Sequence, residues 1–162
     1  MIKVTSMKVC VFSDSHGYAG NMMTAIGLEK PDLCIFLGDG ERDIDRVIEK
    51  YPELPVYAVK GNCDFRTELS SSLFCEVEGV KIFATHGHLS RVKYDFDLET
   101  LTSQAAEAGA DIAMFGHTHC QHLSESRGIT LLNPGTAGRG YYPSYAVLMI
   151  ENGKYSADLK TI

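Results

Sequence analysis

The stretch Lys8-Val9-Cys10-Val11-Phe12-Ser13-Asp14-Ser15-His16-Gly17 sets the frame for the whole chain. Its apolar burst, Lys8–Phe12, reads as a short strand buried on both faces, and it runs straight into a polar loop carrying a carboxylate and an imidazole. The same pattern recurs twice. Leu33–Leu37 ends in Gly38-Asp39-Gly40, and Val56–Val59 ends in Gly61-Asn62-Cys63-Asp64. Between these strands lie two helical stretches, Tyr18–Lys30, stopped near Pro31, and Arg42–Lys50, ending before Pro52. Strand, polar loop and helix in repetition predict βαβ units on a parallel sheet, and such sheets bind ligands beyond the carboxyl ends of their strands.

The second half changes character. Ser72–Val77 and Val80–Thr85 flank Glu78-Gly79, Gln121–Ser126 and Ile129–Asn133 flank Arg127-Gly128, and Ser144–Ile150 and Lys154–Leu159 flank Asn152-Gly153, three hairpin signals. Asp97–Ala108 reads as a helix, and Ile112–Phe115 as a buried strand leading into Gly116-His117-Thr118-His119. The expectation is an α/β fold, a four-layer α-β-β-α sandwich with two mixed β-sheets and helices outside. No repeat or linker divides residues 1–162, so one domain is expected. Residues 1–6 read as a short extension or an alternative start before Met7, where the first strand is expected to begin.

Bulk properties exclude some partners. A hydrophobic fraction of 44% with 22% charged residues describes a soluble globular chain, and the net charge of -6 repels a phosphate backbone at long range. General nucleic-acid binding is therefore not expected. No apolar run has the length of a membrane span, and Val9–Phe12 is too short for a signal-peptide core. Cys10, Cys34, Cys63, Cys75 and Cys120 are scattered without a C-x-x-C pair, as free thiols in a reducing cytoplasm would be.

Histidines 16, 86, 88, 117 and 119 all fall among Gly and Asp in expected loops. Asp14-x-His16 and His117-x-His119 each put two donors on one side of an extended segment. Taken singly, each motif also reads as an ordinary turn. Five such motifs, all at expected strand ends, favour a metal site instead. Asp14, His16, Asp39, Asn62, His86, His117 and His119 exceed what one tetrahedral ion needs, whereas two ions sharing Asp39 would use them all. A set of Asp, Asn and His without a thiolate cluster suits first-row divalent ions such as Mn²⁺, Fe²⁺ or Zn²⁺.

The ordered motifs Asp14-x-His16, Gly38-Asp39, Gly61-Asn62-x-Asp64, His86-Gly87-His88 and Gly116-His117-Thr118-His119 resemble the calcineurin-like metallophosphoesterase superfamily. Within it the chain is similar to small bacterial and archaeal phosphodiesterases whose third motif is Gly-Asn-Cys-Asp. The resemblance runs from the first strand to about Gly135. It implies that Asp14, His16, Asp39 and His119 hold one ion, and that Asp39, Asn62, His86 and His117 hold the other, with Asp39 bridging. Manganese is the first choice of metal, with Fe, Ni, Co and Zn as alternatives. The implied activity is hydrolysis of a small phosphodiester by a hydroxide bridging the two ions. Asn62 would orient the phosphate, His88 would touch it or sit behind the ligands, and Asn133-Pro134-Gly135 would be structural.

One departure bears on substrate choice. Many members of the superfamily carry His, as general acid, where this chain has Cys63. A thiol is a weak proton donor to a departing alkoxide, so Cys63 reads as a spacer, Asp64 as lacking its usual partner, and good leaving groups as a requirement. Two alternatives stay open: a phosphomonoesterase, and a weak or inactive protein of this fold used as an interaction scaffold, as in a eukaryotic retromer subunit. The loop Gly138-Arg139-Gly140-Tyr141-Tyr142-Pro143 could clamp a phosphate and stack on a ring, or be a surface turn. Arg66 and Arg91 are lesser candidates of the same kind, and homo-oligomerisation is left open.

Overall fold

A computed structural model describes residues 6–65 and 68–162. The expectations placed on Arg66 and on residues 1–5 lie outside the described residues. The elements are β1 Ser6–Phe12, α1 Gly20–Glu29, β2 Leu33–Phe36, α2 Glu41–Lys50, β3 Val56–Ala58, β4 Ser72–Val77, β5 Val80–Thr85, a 3₁₀ turn His88–Ser90, α3 Glu99–Ala108, β6 Ile112–Met114, β7 Gln121–Ser126, β8 Ile129–Pro134, β9 Ser144–Glu151 and β10 Lys154–Thr161. No helix among the described residues is long and apolar enough to cross a membrane.

The strands form two mixed five-stranded sheets, in the orders β10-β9-β1-β2-β3 and β4-β5-β6-β8-β7. β1, β2 and β3 are parallel, with Val9 opposite Leu33 and Cys34 opposite Val56. In the second sheet β5, β6 and β8 run parallel, flanked by antiparallel β4 and β7. The division in space differs from the division in sequence. The last hairpin, from the hairpin-rich half, returns to the first sheet, where β9 pairs antiparallel with β1. All three expected hairpin turns have positive φ at both central residues, from +47° at Glu78 to +85° at Gly79, which is the backbone of a type I′ turn.

Alternation along the strands makes the layers. Val9 and Val11 of β1 face the second sheet and pack with Ile35, Ile82, Ala84 and Met114, whereas Cys10 and Phe12 face outward onto Met22 and Ala25 of α1 and Val47 of α2. On the far side, Leu101 and Ala105 of α3 cover Ala113 and Leu131 of the second sheet. Each buried Val, Ile, Leu, Phe or Met among them contributes about 1.5–3 kcal/mol. The result is the expected four-layer sandwich, with the carboxyl ends of β1, β2, β3, β5 and β6 all leading into the loops that carry the polar motifs.

Candidate metal centre

Residues from both sheets converge beyond these strand ends. Asp14 and His16 follow β1, Asp39 follows β2, Asn62 follows β3, His86 follows β5, and His117 and His119 follow β6. Backbone bonds stitch the loops together. The Asp14 amide donates to Gly38 O at 2.9 Å, the His16 amide to Asp39 O at 3.0 Å, and the Gly116 amide to His86 O at 2.9 Å. Asp14, His16, Asp39, His117 and His119 all hold φ between +44° and +68°. That left-handed region costs a residue with a side chain about 1–2 kcal/mol and persists only where neighbours enforce it. Two glycines allow the second and third loops to touch. Gly38 has φ +101°, and a Cβ there would stand 2.5 Å from the Gly61 nitrogen, while a Cβ on Gly61 would run into the Asp39 carboxylate.

The donor atoms form two linked groups. His119 Nε2 lies 3.1 Å from Asp14 Oδ1 and 3.1 Å from His16 Nε2, and His16 Nε2 lies 3.4 Å from Asp14 Oδ1. In the other group, His86 Nε2 lies 3.2 Å from Asp39 Oδ2 and 3.0 Å from Asn62 Oδ1. His117 joins Asp39 and His86, with one ligand atom of each within 4.8 Å of the others. Distances of 3.8 Å from His16 Nε2 to Asp39 Oδ2, and 3.9 Å from His86 Nε2 to Asp14 Oδ1, connect the groups. The structure thus gathers all seven residues singled out from the sequence.

Two observations fit this set to divalent metal. Asp14 is fully buried; its Oδ2 accepts from Ser13 Oγ at 2.5 Å and the His117 amide at 3.0 Å, but its Oδ1 has no hydrogen-bond partner. A buried carboxylate oxygen left alone is costly, and a cation between it and the neighbouring imidazoles would satisfy it. His86, also fully buried, donates from Nδ1 to Leu37 O at 2.7 Å. A carbonyl can only accept, so Nδ1 carries a proton, and Nε2, which faces Asp39 and Asn62, is the nitrogen left to bind metal once it gives up its own proton, as in ligating histidines.

Charge in the cluster is ordered by the same contacts. Burial opposes ionisation of Asp39, yet hydrogen bonding to His86 and the Cys63 amide, helped by the nearby imidazoles, holds its carboxyl well below the usual range. Burial lowers His86, but Asp39 and Asp14 outweigh it and raise the ring above its usual value. Burial and the charge on His86 bring His117 down to about 4, so its ring is neutral, with a lone pair free, at neutral pH.

Residues 7–153 match the calcineurin-like phosphoesterase superfamily domain. This chain belongs to that superfamily. A probable metallophosphoesterase of Bacillus subtilis is 36% identical over 90% of this chain and 86% of its own length. The crystal structure of a predicted phosphoesterase from Streptococcus pneumoniae superposes with a TM-score of 0.80 at 30% identity, covering 98% of this chain and 91% of that one. A phosphodiesterase of Methanocaldococcus jannaschii is 27% identical over 92% of this chain and 96% of its own. Membership in a metallophosphoesterase family implies hydrolysis of phosphoesters and divalent metal ions as cofactors.

Near the centre of this metallophosphoesterase, with Cys63 at the position of the expected histidine partner, Asp64 is engaged by the backbone instead. Its carboxylate accepts the backbone amides of Asp39 at 2.7 Å, Gly40 at 3.0 Å, Glu41 at 3.0 Å and Gly61 at 2.8 Å. It therefore clamps the second ligand loop to the third and caps α2 from a distance. An Asp three residues beyond Gly61 is a turn signal, but its reach to residues 39–41 is invisible to local pattern.

Cys63 is exposed, with Sγ near His16 and Asp39, and its amide donates to Asp39 Oδ1 at 2.8 Å. Burial and the Asp39 carboxylate push its thiol up, away from thiolate. The His88 ring lies tilted beside His86 and His117 at ring distances of 5.5 and 6.2 Å, with a buried, unpartnered Nδ1. Asn133 donates to Gly116 O at 3.1 Å and Thr118 Oγ1 at 2.9 Å, holding the His117–His119 loop. Sequence reasoning missed Ser13, and also buried Asp43, which accepts from Ser15 Oγ at 2.6 Å and the Gly17 amide at 2.8 Å. Arg91 pairs with Asp95 at 3.5 Å.

Proposed function

We propose that this metallophosphoesterase is a phosphodiesterase acting on small diesters through two divalent ions, manganese being the first choice and Fe, Ni, Co and Zn the alternatives. The observation that carries the reading is the paired arrangement about Asp39. Its Oδ2 faces both His16 and His86, so a single carboxylate stands between two complete donor groups. One group is Asp14, His16, Asp39 and His119, the other Asp39, Asn62, His86 and His117. When bound, such ions supply a water of lowered pKa and neutralise charge developing on phosphate oxygens.

The chain's own residues do the positioning. Ser13 Oγ and the His117 amide fix one oxygen of Asp14 and leave the other free to bind. The Cys63 amide fixes Asp39 in the same way. Asn62 turns its oxygen to His86 Nε2, and its NH₂, which contacts Cys63 Sγ at 3.5 Å, keeps a second hydrogen to orient a phosphate oxygen. His88 packs behind the two ligand imidazoles. Cys63, with a raised pKa, is a poor general acid, so diesters with good leaving groups are the favoured substrates. The phosphodiesterase named among the relatives supports this choice over monoesters. A reducing cytoplasm is the proposed compartment, supported by five free cysteines. Repulsion by a net charge of -6 argues against nucleic-acid polymers as general partners.

Metal analysis of the purified protein, joined to a panel of aryl diesters and monoesters, tests the reading. Asp39→Asn is expected to lower metal affinity and hydrolysis by about 100-fold, since both donor groups lose the negative charge they share and an NH₂ replaces one of its oxygens. Full activity in that variant overturns the bridging role. Inactivity of the wild type on every diester with Mn²⁺, Ni²⁺, Co²⁺ and Zn²⁺ revives the scaffold alternative.

A further inference from the structure

Two clefts open from His16 in different directions. One, of about 420 Å³, is bordered by Asp39, Glu41, Asp43 and Asp64 and also holds Arg42 and Phe65. The other, of about 390 Å³, lies between His16, Tyr18, His119, Thr136 and Arg139, and no acidic residue lines it among the described residues. In a chain with a net charge of -6, a cleft lined by a guanidinium and by no acidic residue is set up for an anion.

The Arg139 end of this cleft is built. The Arg139 guanidinium lies 4.7 Å over the Tyr18 ring. The arginine ion pairs among the described residues are Arg91–Asp95 and Arg127–Glu99, so Arg139 keeps its charge unspent. The segment just before it is fastened to the first ligand loop. Thr136 Oγ1 donates to Asp14 O at 2.7 Å, the Ala137 amide to Ser13 O at 2.9 Å, and Asn21 Nδ2 to Ala137 O and Gly138 O at 3.1 and 3.0 Å. Gly138 is needed for this approach, because a Cβ there would stand 3.0 Å from Ser15 O. A side chain held at its base and braced on a ring loses little entropy on binding, and its free edge matches two phosphate oxygens.

We propose that Arg139, braced by Tyr18, is a second phosphate-binding residue beside the metal centre. The preferred substrates are diesters that carry a further phosphate on the arm entering this cleft. The other arm takes the acid-lined cleft, which suits a neutral group such as a nucleoside. The proposal rests on the diesterase reading and goes beyond it by naming the substrate class and the residue that selects it.

The test compares dithymidine dinucleotide with and without a 5′-phosphate. Wild-type enzyme is expected to favour the phosphorylated form in kcat/KM. Arg139→Ala should lower that ratio at least about ten-fold, the worth of one charged hydrogen-bond pair. Arg139→Lys should restore part of it. A wild type with no preference, or a ratio unchanged in Arg139→Ala, overturns the assignment. Should the wild type turn over neither dinucleotide with any ion, the hydrolytic reading fails on its own. Calorimetric binding of the same two dinucleotides to that inert protein then decides the role of Arg139. Tighter binding of the phosphorylated form, lost in Arg139→Ala, upholds it, and equal affinities overturn it.

Discussion

Removing the Asp64 carboxylate tests whether the metal centre is held by the frame described above. Four backbone amides converge on that one group, two of them, from Asp39 and Gly61, in fully buried bonds. The other two, from Gly40 and Glu41, lie at the start of α2, whose own N-cap residue is a glycine without a side chain to offer. Asp64→Ala strands the two buried donors at about 1–3 kcal/mol each and strips a helix cap worth about 1 kcal/mol. The expected loss is about 3–7 kcal/mol, a large share of the 5–15 kcal/mol typical of a domain. Asp64→Asn, which keeps one accepting oxygen but turns an NH₂ towards the other amides, should cost roughly half as much. Urea unfolding followed by circular dichroism, with metal removed by chelator, reads the effect without contribution from bound ions. For an m-value near 2 kcal/mol/M the midpoint should fall by about 1.5–3.5 M at constant m. A loss under about 1 kcal/mol in Asp64→Ala would refute the reasoning, by showing that relaxation or water satisfies the amides equally well. The metal-loaded protein should show the second consequence, weaker metal binding, because Asp39 and Asn62 sit on the loops that Asp64 joins.

Other substitutions separate position from chemistry. Cys63→Ala should keep most of the hydrolytic activity, because the contact that matters to Asp39 comes from the backbone amide; complete loss would make the thiol catalytic. Cys63→His should raise the rate on diesters with poor leaving groups relative to aryl diesters, and an unchanged ratio would show that the ring does not reach the leaving oxygen. His86→Ala should cost about 2–4 kcal/mol of metal-free stability through its buried ring and its bond to Leu37, whereas His119→Ala should cost under about 0.5 kcal/mol. Both should weaken metal binding, as measured by calorimetry. Glu29 gives a pH test away from the centre. Lys160, then Tyr145 and Lys8, hold its carboxyl below the usual value near 4.5. A folded pKa below the unfolded one gives stability present above the unfolded value and lost as pH falls through the folded one. Glu29→Gln should therefore lower the urea midpoint at pH 7, with a difference that closes in acid; a gap unchanged at low pH would exclude the charge as its cause.

The sequence was most legible where the cause is local. The hairpin turns Glu78-Gly79, Arg127-Gly128 and Asn152-Gly153 were readable because two adjacent residues carry the positive φ that a type I′ turn needs. β1 was readable because both of its faces are buried, Val9 and Val11 between the sheets and Cys10 and Phe12 under the helices. The donor residues were readable because Gly, Asp and His stand together at the ends of apolar strands. What stayed hidden depends on distant partners. Nothing near Ser144–Glu151 says that it pairs with β1 rather than with its neighbours in the second half. Nothing near Asp64 says that its carboxylate closes on residues 39–41, or near Asp43 that it braces the first ligand loop.

Those hidden partners also explain how the visible ones survive. Five of the seven donor residues, Asp14, His16, Asp39, His117 and His119, occupy left-handed backbone without being glycine. At about 1–2 kcal/mol each, their combined strain is comparable with the net stability of a small domain, so something non-local must hold them. The bonds that do so are identifiable: Asp14 N to Gly38 O, His16 N to Asp39 O, Asp39 N to Asp64, and His117 N to Asp14 Oδ2. Each joins one donor loop to another, so no loop reaches its conformation alone. The loops constrain one another through these bonds, so residues such as Asp64, outside the donor set, would contribute to the metal affinity of the proposed centre. That arrangement also accounts for a single chain of 162 residues sustaining so polar a site: the two sheets bring the loops within reach, and the loops then constrain one another.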